Sequence, residues 1–187
     1  MEIKAFTAKL GFKARVLKTN CGVSEAYDPQ FGGHQPTVNQ YDAIWDTGAT
    51  GSVITKKVAD ELGLLPTGVI TSNHAGGSSQ VNTYLVNIFL PNKICFVGVE
   101  VTEARLFGNT EMLIGMDIIS QGDFSVTHAD GKTTFSFRMP SIKTIDYVED
   151  SQKLKTDKAI TFLGHSKNKP CSCGSGKNYK NCHGKQK

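Results

Sequence analysis

Two short stretches of this 187-residue chain carry side chains whose types and spacing suit chemistry. In the first, Ala43-Ile44-Trp45 runs straight into Asp46-Thr47-Gly48-Ala49. An apolar strand that ends on a carboxylate, a hydroxyl and a glycine plants the acid at the floor of a site. The glycine permits a tight turn and leaves room for backbone or ligand to approach. A D-T-G tripeptide alone arises by chance in roughly a few per cent of chains this long, and turn aspartates are common in β proteins, so its surroundings must decide. In the second stretch, Cys171 and Cys173 are separated by one residue, and Cys182 and His183 follow beyond Gly174 and Gly176. The glycines allow the return that brings the two pairs together. Three thiolates and one imidazole suit tetrahedral zinc, and a closed set of four leaves no position for water, so such a metal is structural. So short a segment has too little core to fold unaided, and metal binding would supply its folding energy.

The elements that must position these groups read mostly as strands. Residues 3–18 alternate loosely, while 19–37, with Gly22, Pro29, Gly32, Gly33 and Pro36, read as loop. A strand is expected from about Val38 to Trp45. A short helix follows, with Thr55 as its cap, Val58 and Leu62 on one face and Gly63 at its end. A Gly-rich turn at Gly76, Gly77, Ser78 and Ser79 precedes a strand whose Tyr84, Val86, Ile88 and Leu90 share one face. After a turn at Pro91-Asn92-Lys93, Val97, Val99 and Val101 alternate in the same way. Met112-Leu113-Ile114 is an apolar triplet before Gly115, and Phe124, Val126, Phe135 and Phe137 flank a turn at Ala129-Asp130-Gly131 as a hairpin. Short strands at regular spacing predict an all-β, closed barrel with one or two short helices. The expected domains are the barrel over 1–148, a polar, lysine-rich linker over 149–167 and the cysteine module over 168–187.

Composition narrows the class. Hydrophobic residues make up 39% and charged residues 20%, which excludes a wholly disordered or collagen-like chain. No apolar run approaches the roughly 20 residues needed to cross a bilayer, and the N-terminal MEIKAFTAKLGFKARVLK shows no apolar leader. A soluble, cytoplasmic protein without a membrane role is therefore expected. Charge is split: 151–187 hold nine of the 21 Lys+Arg and one of the 17 Asp+Glu, a local +8, against −4 on 1–150. A mildly acidic body and a basic tail suggest two units with different partners. Three of the five cysteines fall within twelve positions, a pattern of metal binding in a reducing compartment rather than of disulfides.

In order and spacing, residues 1–148 resemble the retropepsin-like (retroviral-type) aspartic proteases. The resemblance rests on strand–DTGA at 43–49, on Ser52-Val53-Ile54 after it, on the Gly-rich turn at 76–79, and on Leu113-Ile114-Gly115-Met116-Asp117. It departs from the family in a long 19–37 loop and in the wording of the flap-like turn. It implies a catalytic Asp46-Thr47-Gly48 turn, with Ala49, Gly76 and Gly77 at the substrate and Gly76 and Gly77 on a mobile flap. Such enzymes need two carboxylates sharing one proton. One draws a proton from a water held between them, and the other donates towards the scissile carbonyl. No second D-[ST]-G occurs in the chain, so this chemistry entails a homodimer with one Asp46 from each copy. By the resemblance, Thr47 hydrogen-bonds across that axis. Asp117 is expected to start a helix rather than to catalyse. Ala49, where two-lobed relatives often carry serine, removes a hydroxyl from beside the aspartate, so a higher working pH is expected.

Residues 169–184, K-P-C-S-C-G-S-G-K-N-Y-K-N-C-H-G, resemble the SEC-C motif, a zinc-binding tail. The resemblance implies Cys171, Cys173, Cys182 and His183 as ligands and a module that docks onto macromolecules. Lys177, Tyr179 and Lys180 would offer a basic, partly aromatic face to an acidic protein surface or to RNA. The leading reading is thus an aspartic endopeptidase acting on polypeptide. The rivals are a non-catalytic dimeric adaptor recruited through the tail, and a nucleic-acid adaptor, which the acidic body disfavours.

Overall fold

The computed structural model describes residues 2–28, 30, 35–74, 77–164, 168–171 and 173–183. The chain forms two compact units, Met1–Lys143 and Thr144–Lys187. In the first, the described strands are β1 (Lys4–Leu10), β2 (Lys18–Glu25), β3 (Asn39–Trp45), β4 (Val53–Ile54), β5 (Gly68–His74), β6 (Gly77–Leu90), β7 (Ile94–Glu103), β8 (Met112–Ile114), β9 (Asp123–Thr127) and β10 (Thr133–Met139). Two short helices, α1 (Lys56–Glu61) and α2 (Met116–Ile119), follow β4 and β8.

Six strands close on themselves in the order β2-β3-β8-β4-β7-β6, because β6 pairs back onto β2 from Gly22↔Phe89 to Glu25↔Val86. The expected closed all-β barrel with short helices is the observed one. Tyr84, Val86, Ile88 and Leu90 all face the core, where they meet Val23, Ala43, Ile54 and Met112. The second half of β6 is thus held on both sides. Its first half pairs with β5 alone, so β5 and residues 77–82 stand out as a two-stranded arm.

Two local expectations are corrected. Part of the 19–37 segment is not loop: β2 is a barrel stave with Cys21, Val23 and Ser24 fully buried. Gly22 breaks no strand there. A Cβ at Gly22 would stand 2.8 Å from Val38 Cγ1 and 2.9 Å from Gln40 Nε2, so the glycine serves a close approach between strands. In β7 the alternation slips. Val101 is buried but Val97 is half exposed, because a register shift opposite Val86 and Ile88 inserts a residue near Gly98 (φ +65°). Buried Asn87 secures the irregularity by accepting the Gly98 N–H at 2.9 Å.

A three-stranded sheet, β1-β10-β9, completes the unit, with Phe6↔Phe137 and Phe137↔Phe124 in register. The β9–β10 hairpin turns where the sequence placed it, through Asp130 and Gly131 at positive φ. Trp45, the last residue of β3, joins this sheet to the barrel. It lies parallel to Phe124 at 5.5 Å and tilted against Phe137 at 5.2 Å and Phe6 at 5.6 Å. Its Nε1–H donates to Thr19 Oγ1 at 2.9 Å. The residue immediately before Asp46 is therefore held by packing on several sides.

In the second unit, α3 (Tyr147–Gly164) runs through most of the lysine-rich stretch expected as linker. Asp146 Oδ1 accepts the N–H of Val148 at 2.8 Å and of Glu149 at 3.1 Å, which caps the helix. Among the described residues no helix is long and apolar enough to cross a membrane.

Candidate active site and metal centre

Asp46 lies where β3 leaves the barrel. The strand is paired in parallel with β8, Trp45 opposite Ile114, and the last ladder bond runs from Asp46 N–H to Ile114 O at 2.9 Å. The chain then turns sharply. Asp46 O accepts the Ala49 N–H at 3.2 Å, and Asp46 Oδ1 accepts the Gly48 N–H at 2.8 Å. A Cβ at Gly48 would sit 3.2 Å from that carboxylate oxygen, tighter than an ordinary contact. Glycine here keeps the space around the acid open. Asp46 and Ala49 are half-buried, Thr47 and Gly48 exposed.

What fixes this turn lies outside the tripeptide. β8 passes between β3, to which it is parallel, and β4, to which it is antiparallel (Val53↔Leu113). The chain leaving β8 then grips the chain leaving the turn. Met116 N–H donates to Ala49 O at 2.8 Å and Asp117 N–H to Thr50 O at 3.1 Å. The Asp117 carboxylate accepts Ser52 N–H and Ser52 Oγ–H, each at 2.9 Å, while Ser52 Oγ accepts the Gly115 N–H at 3.1 Å. Gly115 and Gly51 touch so closely that a Cβ on Gly115 would stand 2.5 Å from the Gly51 carbonyl carbon. Asp117, expected to start the helix, is the second residue of α2, which begins at Met116 with Gly115 at its N-cap, and it also accepts the Ile118 N–H at 3.0 Å. Its bonds to Ser52, which is almost fully buried, escaped sequence reasoning. The available signal was two polar residues set inside apolar runs, Ser52 before Val53-Ile54 and Asp117 before Ile118-Ile119.

The structure thus brings Asp46, Thr47, Gly48 and Ala49 together on one braced turn. Gly77 lies elsewhere, at the first residue of β6 on the β5–β6 arm, exposed and at φ +121°. Gly76 lies outside the described residues. A half-buried carboxylate fixed by a backbone N–H can take up or release a proton to a bound group.

The cysteine segment forms a second centre. One ligand atom from each of Cys171, Cys173, Cys182 and His183 lies within 4.8 Å of all the others. Cys171 Sγ is 3.2 Å from His183 Nδ1, Cys173 Sγ is 3.5 Å from Cys182 Sγ, and Cys182 Sγ is 3.4 Å from His183 Nδ1. Tetrahedral bonds of about 2.3 Å to sulfur would set two sulfurs a little under 4 Å apart, so this donor set fits a metal ion. Gly174 and Gly176, both at positive φ, make the return, and Cys171 N–H closes it on Lys177 O at 2.7 Å. The Cys171 thiol is drawn down to about 7, first by the Cys173 backbone N–H, which favours the thiolate that a metal binds.

Two family models fall on the same two centres. Residues 37–121 match the family described as "gag-polyprotein putative aspartyl protease", and residues 168–185 match the SEC-C motif. The protein translocase subunit SecA of Bifidobacterium longum subsp. infantis is 45% identical over 65 residues, 34% of this chain. SecA of B. longum strain DJO10A is 43% identical over the same length. The chain spans about 6% of the length of these relatives. Among solved structures it is similar to a retropepsin-like aspartic protease from Rickettsia conorii (13% identity, 73% of this chain and 95% of that one, TM-score 0.44). It is also similar to the retroviral protease-like domain of Ddi1 from Leishmania major (16% identity, 66% and 95%, TM-score 0.38). Over residues 37–121 the chain is thus similar to the gag-polyprotein aspartyl-protease family, and over 168–185 to the SEC-C motif.

Proposed function

We propose that this protein is an aspartic endopeptidase that works as a homodimer, with Asp46 of each protomer forming the acid–base pair. The observation that carries this reading is the braced Asp46 turn, present once per chain. Its carboxylate is positioned by Gly48 N–H, by the β3–β8 ladder and by the Ser52–Asp117 contacts behind it. Two like charges about 3 Å apart cannot both ionise, so the pair would hold one proton between them. The ionised Asp46 takes a proton from a water between the two acids, the neutral one donates to the scissile carbonyl oxygen, and the water oxygen attacks the carbonyl carbon. Thr47 joins the two turns across the axis. Ala49 and Gly77, the latter on the arm, contact an extended polypeptide, with Gly76 beside Gly77 in sequence.

At the other end, Cys171, Cys173, Cys182 and His183 hold a structural zinc ion, and the module docks a partner or a substrate. Exposed Lys177 and Lys180, beside half-buried Tyr179, favour an acidic protein surface, with RNA as the competing partner. We read the clustered cysteines as metal-binding thiols kept reduced, which favours a cytoplasmic location. The test is cleavage of an unfolded polypeptide by the purified protein. Asp46→Asn is expected to stop cleavage while sedimentation still shows a dimer. Cleavage that survives in Asp46→Asn overturns the assignment, and a wild type that cleaves nothing but dimerises leaves the adaptor reading in its place.

A further inference from the structure

The β5–β6 arm is joined to the barrel by a side-chain device that the reading above does not use. From Gly77 to Asn82, β6 pairs only with β5, and from Thr83 onwards it also pairs with β7. A two-stranded ribbon is marginally stable by itself, so its angle to the barrel depends on what grips its root. Thr83 is buried there, opposite Gly68 on one side and Thr102 on the other, and its carbonyl accepts Thr67 N–H at 2.8 Å. Asn82 is the last residue of the arm and Tyr84 the second residue of the barrel portion, and the two lie on one face of β6, two positions apart.

Both converge on a single atom. Glu103 Oε2 accepts Tyr84 O–H at 2.7 Å and Asn82 Nδ2–H at 3.2 Å. Glu103 is the last residue of β7, in parallel register with Ile54 of β4, the strand that follows the Asp46 turn. The adjoining backbone is fixed as well, by Thr102 N–H on Ser52 O at 3.2 Å and Ala104 N–H on Ile54 O at 3.0 Å. One carboxylate oxygen therefore ties the arm side of the junction, the barrel side and the strand leaving the turn.

We propose that Glu103 is a positioning residue that sets the arm's angle to the barrel and, through it, the arm's closure over bound polypeptide. The second half of this statement rests on the endopeptidase reading, and the first does not. The test is amide hydrogen exchange of the full chain, read separately over 69–72 with 77–82 and over 86–90 with 94–101. Glu103→Ala is expected to speed exchange in the arm by roughly tenfold while leaving the barrel segments unchanged. Glu103→Gln, which keeps an acceptor for Tyr84, is expected to restore most of the protection. Tyr84→Phe removes one hydroxyl from the same junction with little risk to folding, and it is expected to give a smaller effect of the same kind. In peptide cleavage, Glu103→Ala should raise KM several-fold with kcat changed less, and Glu103→Gln should recover it. Unchanged arm exchange in both Glu103→Ala and Tyr84→Phe overturns the proposal. Loosened arms with an unchanged KM overturn its link to substrate. A wild type that cleaves nothing overturns the endopeptidase reading, while the exchange data still decide Glu103's hold on the arm.

Discussion

The contact between Gly115 and Gly51 gives a sharp prediction, because the two glycines differ in what a methyl group would meet. A Cβ on Gly115 would stand 2.5 Å from both the carbonyl carbon and oxygen of Gly51, and 3.0 Å from Asp117 Oδ1. Carbon contacts settle at about 3.5–4.0 Å, so the two segments would have to part by about 1 Å. The Gly51 atoms are backbone, and no rotamer relieves them. Parting the segments also strains the Gly115 N–H bond to Ser52 Oγ. Overpacking costs about 1–3 kcal/mol and a weakened buried hydrogen bond about 1 kcal/mol more. Gly115→Ala should therefore lose about 3 kcal/mol, which lowers the melting temperature by roughly 10 °C in a unit of this size. A Cβ on Gly51 meets nothing within 4 Å, so Gly51→Ala should stay within about 1 kcal/mol of wild type. The fluorescence of Trp45, the single tryptophan, reports the melting of the barrel unit alone. A Gly115→Ala protein that melts within 2 °C or so of wild type, or equal losses at the two glycines, would refute this account of the turn.

Three further outcomes are expected. Ser52→Ala leaves the Gly115 N–H without its acceptor and removes one of the donors to the Asp117 carboxylate, and should cost about 1–3 kcal/mol in a urea melt; no loss would mean the network is idle. Ser141 Oγ–H, the Arg138 guanidinium and Ile142 N–H hold the Asp123 carboxyl well below the usual carboxylate range. A depressed carboxyl stabilises the fold above its unfolded value, near pH 4, and loses that contribution as pH falls further. Asp123→Asn should thus melt lower than wild type at pH 7, and the gap should narrow progressively as pH falls below about 4; a gap that is constant with pH would contradict this. On the proposed zinc site, Cys182→Ser should lower the zinc measured per chain and unfold 168–183 by hydrogen exchange, while the Trp45 transition stays where it was; a shifted barrel transition would argue against an independently stabilised module.

Much of this is legible in the sequence, for reasons particular to each element. The face of Tyr84, Val86, Ile88 and Leu90 repeats at the strand period because each is buried in one closed barrel. The β9–β10 hairpin announces itself through Asp130 and Gly131, which alone there must take positive φ. The cluster of Cys171, Cys173, Cys182 and His183 is legible because its spacing is local. β2 was not legible. Its apolar content is only Cys21 and Val23, and Gly22 looks like a turn signal until Val38 and Gln40 are seen pressing on it from β3 and its approach. Thr55 caps α1 by position but gives its hydroxyl to Glu111 Oε2 at 2.5 Å, a partner 56 residues away that no local pattern contains. The same is true of Ser52 with Asp117 and of Glu103 with Asn82 and Tyr84. Local spacing reveals turns, faces and compact ligand sets, whereas the long-range polar contacts that brace the Asp46 turn depend on topology.

The most direct test of a shared acid pair is a mixing experiment. Wild-type protein is co-refolded with increasing fractions of Asp46→Asn at constant total concentration, and cleavage of an unfolded polypeptide is followed. If each site needs Asp46 from both protomers, activity follows the square of the wild-type fraction, and an equal mixture retains about a quarter. Activity that falls in simple proportion, leaving about half at equal mixing, would show that one chain suffices and would contradict the account.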